Sequence, residues 1–227
     1  MFLFNELIEL WRSDNSLTQA LNDSHAMLES TNQMFQESVR SLRQSNAGEI
    51  GMNIYEKDQA VNRYEQQVRR KVLKHLAITG GVNIIPGLIL TSIVIDIERI
   101  GDYTKNIVEL ASAVEGPFDG LELHDEVLSI EGMLGKMFSD IVPALEESDE
   151  TRARAIISSH GVIAEKVDKH IHSLTLGEAL VGRSGHAATA ALYLRFLKRV
   201  SAHIKNVATS VVNPYYRFGF REKEAGQ

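Results

Sequence analysis

Apolar positions along the chain recur with the spacing of long helices. Between residues 17 and 42, paired apolar residues return every seven positions, as in Ala20/Leu21, Met27/Leu28 and Met34/Phe35. Such a recurrence is typical of a long packed helix. Strand-type alternation is absent, and the whole chain contains only four prolines. The pattern therefore predicts an all-α protein.

Turn residues divide the sequence into six predicted helices. The first follows the capping residues 13–16 and ends at 46–48, and the others span about 51–77, 84–109, 123–145, 150–176 and 186–212. The strongest break is Glu115–Gly120. We therefore divide the chain into a first three-helix repeat (1–116), a second (121–214) and a tail (215–227). The tail is rich in aromatic residues, and we expect it to be packed rather than freely solvated.

A shift of 100 residues superposes the third predicted helix on the sixth. Arg99 then meets Arg199, Lys105 meets Lys205, and Asn106 meets Asn206. This correspondence predicts two tandem three-helix bundles. The acids do not repeat, since the shift turns Glu98 into Lys198, Asp102 into Ala202 and Glu109 into Thr209.

A polar stripe continues directly from the apolar run of the third helix. On a helical wheel, Glu98, Asp102, Asn106 and Glu109 fall within about 80° of one another. Like charges four residues apart repel each other. Water, cations from neighbouring helices or a metal ion must therefore offset the charge of this stripe.

The second helix carries a similar stripe in the reverse direction, with Asp58 and Asn62 preceding its apolar positions. An antiparallel arrangement would place these two residues near the level of Glu98 and Asp102. Oxygen ligands suit hard or borderline cations such as Fe, Mn, Mg, Ca or Zn. The alternative is a solvated, salt-bridged face, neutralised by arginines. The candidate arginines are Arg63, Arg69 and Arg99.

Composition excludes several function classes. The net charge of −6 over 227 residues argues against nucleic acid as the main partner. Without cysteine, thiolate sites and disulfides are ruled out. No histidine follows a glutamate by three residues, which disfavours a ferritin-like oxidase. The apolar run 82–95 is too short to span a membrane, and the N-terminus lacks a basic leader, so we expect a soluble, intracellular protein.

The stretch Asp96–Tyr103, followed by Asn106–Glu109, resembles the signature of the PhoU family of phosphate-uptake regulators. The stretch Glu56–Asn62 resembles that family's second-helix motif, and the length and the two repeats also match. The resemblance implies two three-helix bundles with acidic E(D)xxxD motifs that bind metal at the bundle surface. It also implies a cytoplasmic regulator without enzymatic activity, which links the phosphate ABC transporter to its sensor histidine kinase.

Carried over by position, Glu98 and Asp102 match the helix-three motif, and Asp58 matches the helix-two acid. The full set of candidate metal ligands is Glu98, Asp102, Asp58, Asn62, Asn106 and Glu109. The resemblance implies iron or zinc first, then Mg, Mn or Ca. At most one cluster is expected, because the second repeat has Ala164, Lys198 and Ala202 at the corresponding positions.

Two functions stay open from the sequence. The first is a metal-binding regulator of phosphate uptake, and the alternative is a metal-independent helical adaptor whose acidic face docks a basic partner. A carboxylate-bridged metalloenzyme is the least supported. The expected partners are a transporter component and a sensor kinase, with the membrane reached only through them. The first helix and the aromatic tail each offer a face for a homodimer, and the sequence does not choose between them.

Overall fold

The computed structural model describes residues 15–44, 51–81, 84–114, 116–119 and 121–220, together with Glu9. The predicted end of the first helix (46–48) and residues 221–227 of the predicted tail lie outside these residues. The helices are α1 (Asn15–Gln44), α2 (Ile54–Thr79), α3 (Ile84–Ala113), α4 (His124–Glu146), α5 (Glu150–Thr175) and α6 (Ser184–Val212). A short 3₁₀ turn precedes α4 at Leu121–Leu123, and another follows α6 at Tyr215–Arg217. The described part contains no strand, which confirms the all-α prediction.

Local side-chain chemistry fixes several helix ends. The Asn53 side chain accepts a hydrogen bond from the Glu56 amide at the start of α2, and Asp149 accepts one from the Arg152 amide at the start of α5. Such N-caps satisfy amides that have no partner inside the helix. At its other end, α2 stops at Gly80, whose φ of 64° is the left-handed conformation that glycine adopts without strain.

The six helices pack as two three-helix bundles, as predicted. Helices α1, α2 and α3 contact one another, and so do α4, α5 and α6. The two bundles meet through α3 and α6, which pack extensively against each other. Helix α3 is therefore buried from two sides. No helix among the described residues is long and apolar enough to cross a membrane.

The contact between α3 and α6 combines a polar pair with an aromatic pair. Asp96 Oδ1 lies 2.7 Å from His203 Nδ1 and accepts a hydrogen bond of 2.8 Å from Asn206 Nδ2. Further along, the ring of Tyr103 lies 6.3 Å from the ring of Phe196. Because the lower number on α3 meets the higher number on α6, the two helices are antiparallel.

The segment between the repeats returns to the end of α1. The Phe118 amide donates a hydrogen bond of 2.9 Å to the Leu42 carbonyl, and the Phe118 ring packs edge-on against Tyr193 of α6. The Tyr193 hydroxyl in turn donates to Glu131 of α4 at 2.6 Å. Burial raises the pKa of Glu131, although Tyr193 and Arg43 stabilise the carboxylate. The connection is thus anchored to both repeats.

We predict that Gly87→Ala destabilises the protein by about 1–3 kcal/mol. A Cβ at Gly87 would lie 2.8 Å from Val72 Cγ1, where α2 and α3 approach each other closely. Val72 is buried and β-branched, so it cannot swing aside. Equilibrium denaturation measures the change.

Gly132→Ala in α4 is the matched control, because a Cβ there meets nothing within 4 Å. It should stabilise the protein by about 0.5–1 kcal/mol through helix propensity alone. Equal effects of the two substitutions would contradict the close approach of α2 and α3.

Candidate functional site

The inward faces of α2 and α3 determine where their acids lie. Val61 and Val68 of α2 and Ile97 and Ile100 of α3 are fully buried. Since a helix presents its opposite sides to core and solvent, the polar stripes of both helices lie at the rim of the shared groove. Packing of the two apolar faces therefore brings the carboxylates of the two helices close together.

The ammonium group of Lys105 lies between acids of both helices. Its Nζ donates to Asp58 Oδ2 at 3.2 Å and to Asp102 Oδ1 at 3.4 Å. Burial lowers the pKa of Lys105, but the Asp58 and Asp102 carboxylates outweigh this effect and leave the pKa raised. The three side chains are only 13–31% exposed, and this lysine links the aspartate of α2 to the aspartate of α3.

Two arginines neutralise the rest of the cluster. Arg99 Nη1 donates to Asp102 Oδ2 at 3.0 Å, and its Nε lies 3.6 Å from Glu98 Oε2. Arg69 pairs with Glu65 on α2 at 2.8 Å. Burial raises the pKa of Glu98, and the nearby charges of Asp102, Glu65 and Asp58 raise it further against the effect of Arg99. Glu98 is thus the least compensated acid.

The candidate ligands do not all take part in this network. Asp58, Glu98 and Asp102 come together, as the antiparallel arrangement predicts. Asn62 and Asn106 are half-buried, and Glu109 is exposed further along α3. Lys105 was not predicted as a counter-ion. The available signal was its position three residues after Asp102, on the side of α3 that faces α2.

Metal binding at this site stays a prediction. Carboxylates are suitable ligands for a hard cation, and Asp58 and Asp102 lie close enough to contact the same ammonium group. A metal ion bound between them would have to displace the Lys105 ammonium. Among the described residues, no group of three or more His, Asp or Glu side chains is arranged to hold a metal ion. The residues as they stand form an ion-pair network.

Known proteins share both a domain and the fold with this chain. Residues 25–111 match the family model described as PhoU domain. The chain carries a PhoU domain. It begins within α1 and includes α2 and nearly all of α3, so the ion-paired acids lie inside it. The resemblance to the PhoU family is thereby confirmed.

Solved PhoU structures have the same fold over most of the chain. The crystal structure of PhoU from Pseudomonas aeruginosa is 19% identical, with a TM-score of 0.74, and the match covers 87% of this chain and 95% of that one. The phosphate transport system regulatory protein PhoU from Streptococcus pneumoniae is 14% identical, with a TM-score of 0.69, covering 92% and 95%. Among curated proteins, none matches the sequence.

The second repeat lies beyond the matched PhoU domain and has a different charge pattern on the same scaffold. Lys198 pairs with Asp168 at 2.6 Å. In the first repeat, Lys105 of α3 contacts Asp58 of α2. Because these helices are antiparallel, moving two turns from this contact places Glu98 of α3 opposite Glu65 of α2. Asp168 thus corresponds to Glu65. Two acids that repel each other in the first repeat are replaced by a salt bridge in the second.

The lysine equivalent to Lys105 also has a different partner. Lys205 Nζ donates to the Gly219 carbonyl of the tail at 2.7 Å. His160 of α5 lies near Lys205 and Lys198 and makes a hydrogen bond of 2.9 Å with Ser201 Oγ. Burial, together with these two lysines, lowers the pKa of His160 to about 4.

His160 predicts a specific pH dependence of stability. Its pKa is about 4 in the folded protein and near 6.5 when solvated, so the unfolded chain binds the proton more tightly. The contribution of the neutral imidazole is complete above pH 6.5 and is lost as the pH falls towards 4. His160→Gln should therefore lose less thermal stability than the parent protein between pH 7 and 4.

Thermal unfolding at several pH values measures this difference. His172→Gln is the control, because His172 is exposed near the end of the same helix. It should keep the parent pH profile. Parallel profiles for His160→Gln and the parent would show that His160 titrates normally in the folded state.

Proposed function

We propose that the protein is a cytoplasmic, non-enzymatic regulator of phosphate uptake that acts through contacts with other proteins. The observation that carries the proposal is the PhoU domain at residues 25–111. The fold of the complete chain supports it, and the Streptococcus pneumoniae structure with that fold is a phosphate transport system regulatory protein. The proposed partners are a component of the phosphate transporter and a sensor histidine kinase.

Two mechanisms are compatible with the acid cluster on α2 and α3. In the first, Asp58, Glu98 and Asp102 bind a metal ion that organises the contact surface. In the second, a basic side chain of the partner binds there. In either mechanism the incoming cation competes with the Lys105 ammonium, which already contacts Asp58 and Asp102. Glu98 is the least compensated acid and is therefore the first contact that we propose for either cation.

Phosphate uptake in the source organism tests the proposed function. Deletion of the gene should leave uptake high when phosphate is plentiful, because the transporter has lost its negative regulator. The wild-type gene should restore repression. Uptake of radiolabelled phosphate by washed cells measures the effect. An unchanged response of the deletion strain to phosphate would refute the proposed role.

The same assay links the acids to the role. Complementation with Glu98→Gln/Asp102→Asn should restore repression only weakly, because these substitutions remove the charge that a cation or a basic partner recognises. Glu122→Gln/Asp125→Asn changes charge equally at exposed positions near the start of α4. This control should complement fully. Equal repression by the two double variants would show that the acid cluster of α2 and α3 is not needed for the regulation of phosphate uptake.

Substitution of Lys105 distinguishes the two mechanisms. If a metal ion binds, Lys105→Gln should raise Mn²⁺ affinity by at least about tenfold, since Asp58 and Asp102 lose their competing ammonium. Without metal, the variant should be less stable by about 1–2 kcal/mol, because two partly buried carboxylates lose their partner. Calorimetric titration and thermal unfolding with and without Mn²⁺ measure these effects.

Elemental analysis of protein purified without chelator completes the test. The metal mechanism requires that the parent contain metal and that Glu98→Ala/Asp102→Ala contain less. Equal metal content in both proteins, together with unchanged Mn²⁺ binding by Lys105→Gln, would rule this mechanism out and leave the basic-partner mechanism.

A further inference from the structure

Exposed apolar side chains gather where α2 ends and α3 begins. Leu73 is 70% exposed, Ile78 73%, Ile84 51% and Ile85 37%. The first two belong to the last turns of α2, and the isoleucine pair belongs to the first turn of α3. Four large aliphatic side chains are thus exposed close to one helix–helix connection, and we treat them as one apolar patch and not as isolated exposed residues.

The C-terminal tail extends this patch with aromatic rings. Since α3 and α6 are antiparallel, the end of α6 lies beside the first turns of α3, and the turn Tyr215–Arg217 contacts α3. The tail is packed only in part: Phe218 lies against the core, whereas Tyr216 is 78% and Phe220 63% exposed. We call Leu73, Ile78, Ile84, Ile85, Tyr216 and Phe220 the apolar end.

Hydrogen bonds hold the aromatic tail in place. Asn213 Nδ2 donates to the carbonyls of Arg217 and Phe220, and the Gly219 amide donates to Thr209 Oγ1 at 2.9 Å. The bond from Lys205 to the Gly219 carbonyl adds a contact to the middle of α6. The rings of Tyr216 and Phe220 are thus presented to solvent on a fixed backbone, although burial would be favourable for them.

The charge around the apolar end is opposite to that of the whole chain. Residues 66–95 contain four Lys and Arg and no acid, and residues 199–220 also lack acids, whereas the net charge is −6. Arg69 and Lys71 pair with Glu65 and Asp23. Arg70 and Lys74 are exposed beside Leu73.

The acids at the same level of the second bundle do not cancel this charge. His25 of α1 lies 3.2 Å from Glu146, which places the turn between α4 and α5 at this level. In that turn, Glu147 pairs with Arg152 at 2.7 Å, and Glu150 pairs with Arg154 at 2.7 Å. Among the described residues, no acid at this level pairs with Arg70 or Lys74, so both can contact an anionic partner.

We propose that the apolar end docks on the surface of an anionic lipid bilayer, a role that goes beyond regulation through protein partners. Aliphatic and aromatic side chains from a helix connection and a turn would enter the headgroup region, where tyrosine is favourable. Arg70 and Lys74 would contact lipid phosphates. The patch mixes aliphatic, aromatic and cationic side chains, and this mixture suits a membrane interface better than it suits the apolar face of a protein helix.

Co-sedimentation of the full chain with vesicles tests the proposal. We expect binding to vesicles of phosphatidylcholine with about 30% phosphatidylglycerol, and at least about tenfold weaker binding to phosphatidylcholine alone. Binding to the mixed vesicles should fall at 0.5 M salt, because screening acts on the contacts of Arg70 and Lys74. Absence of binding to the mixed vesicles, or equal binding to both compositions, would overturn the proposal.

Variants at exposed positions locate the contact without disturbing the core. Ile78→Ser/Ile84→Ser and Arg70→Glu/Lys74→Glu should each weaken binding to the mixed vesicles at least about tenfold. The matched controls are Leu176→Ser/Val181→Ser, at the opposite end of the molecule, and Lys169→Glu/Arg195→Glu, which are exposed on α5 and α6. The controls should bind more strongly than the corresponding variants of the apolar end.

Two results would overturn the assignment to this surface. One is equal loss of binding in the variants and their controls, which would indicate a nonspecific charge or surface effect. The other is a concentration-dependent dimer in size-exclusion chromatography that disappears in Ile78→Ser/Ile84→Ser. A second copy of the chain would then cover the apolar end in place of lipid.

Discussion

The burial of α3 between its own bundle and α6 is the constraint on which the other features depend. Apolar contacts with α1 and α2 fix one side of this helix, and Asp96 and Tyr103 fix another side against α6. Only the strip with Glu98 and Asp102 is left at the rim towards α2. These contacts fix the rotation and translation of α3. The helix therefore cannot turn Glu98 and Asp102 towards water to relieve the repulsion between the two carboxylates.

The two repeats show how one scaffold accommodates different charge patterns. Lys105 compensates acids across a helix pair, whereas its counterpart Lys205 binds a backbone carbonyl of the tail. Lys198 replaces an acid and forms a salt bridge with Asp168. The apolar core positions keep the helices in place in both halves, so the rim residues are free to change. This separation explains why the family match covers the first repeat while the fold match covers nearly the whole chain.

The sequence predicted the helices well because their signals are local. The fifth helix was expected at 150–176 and is found at Glu150–Thr175, since Asp149 caps it and its apolar spacing is regular. Lys105 was not assigned as the counter-ion because its contact with Asp58 depends on the register between two helices. The exposure of Tyr216 was missed for a similar reason. The hydrogen bonds that position the tail join Gly219 to Thr209 and Lys205 of α6, which lie 10 and 14 residues earlier in the chain. The spacing of residues within one helix does not predict such contacts.

The contact between α3 and α6 also determines which halves can associate. The hundred-residue shift pairs Asp96 with Phe196 and Tyr103 with His203, so each half contributes one member to the polar pair and one to the aromatic pair. Two copies of the first half meeting through this face would leave Asp96 without His203 and Asn206, and two copies of the second half would leave His203 and Asn206 without Asp96. The repeats are thus complementary to each other and poorly suited to pairing with themselves.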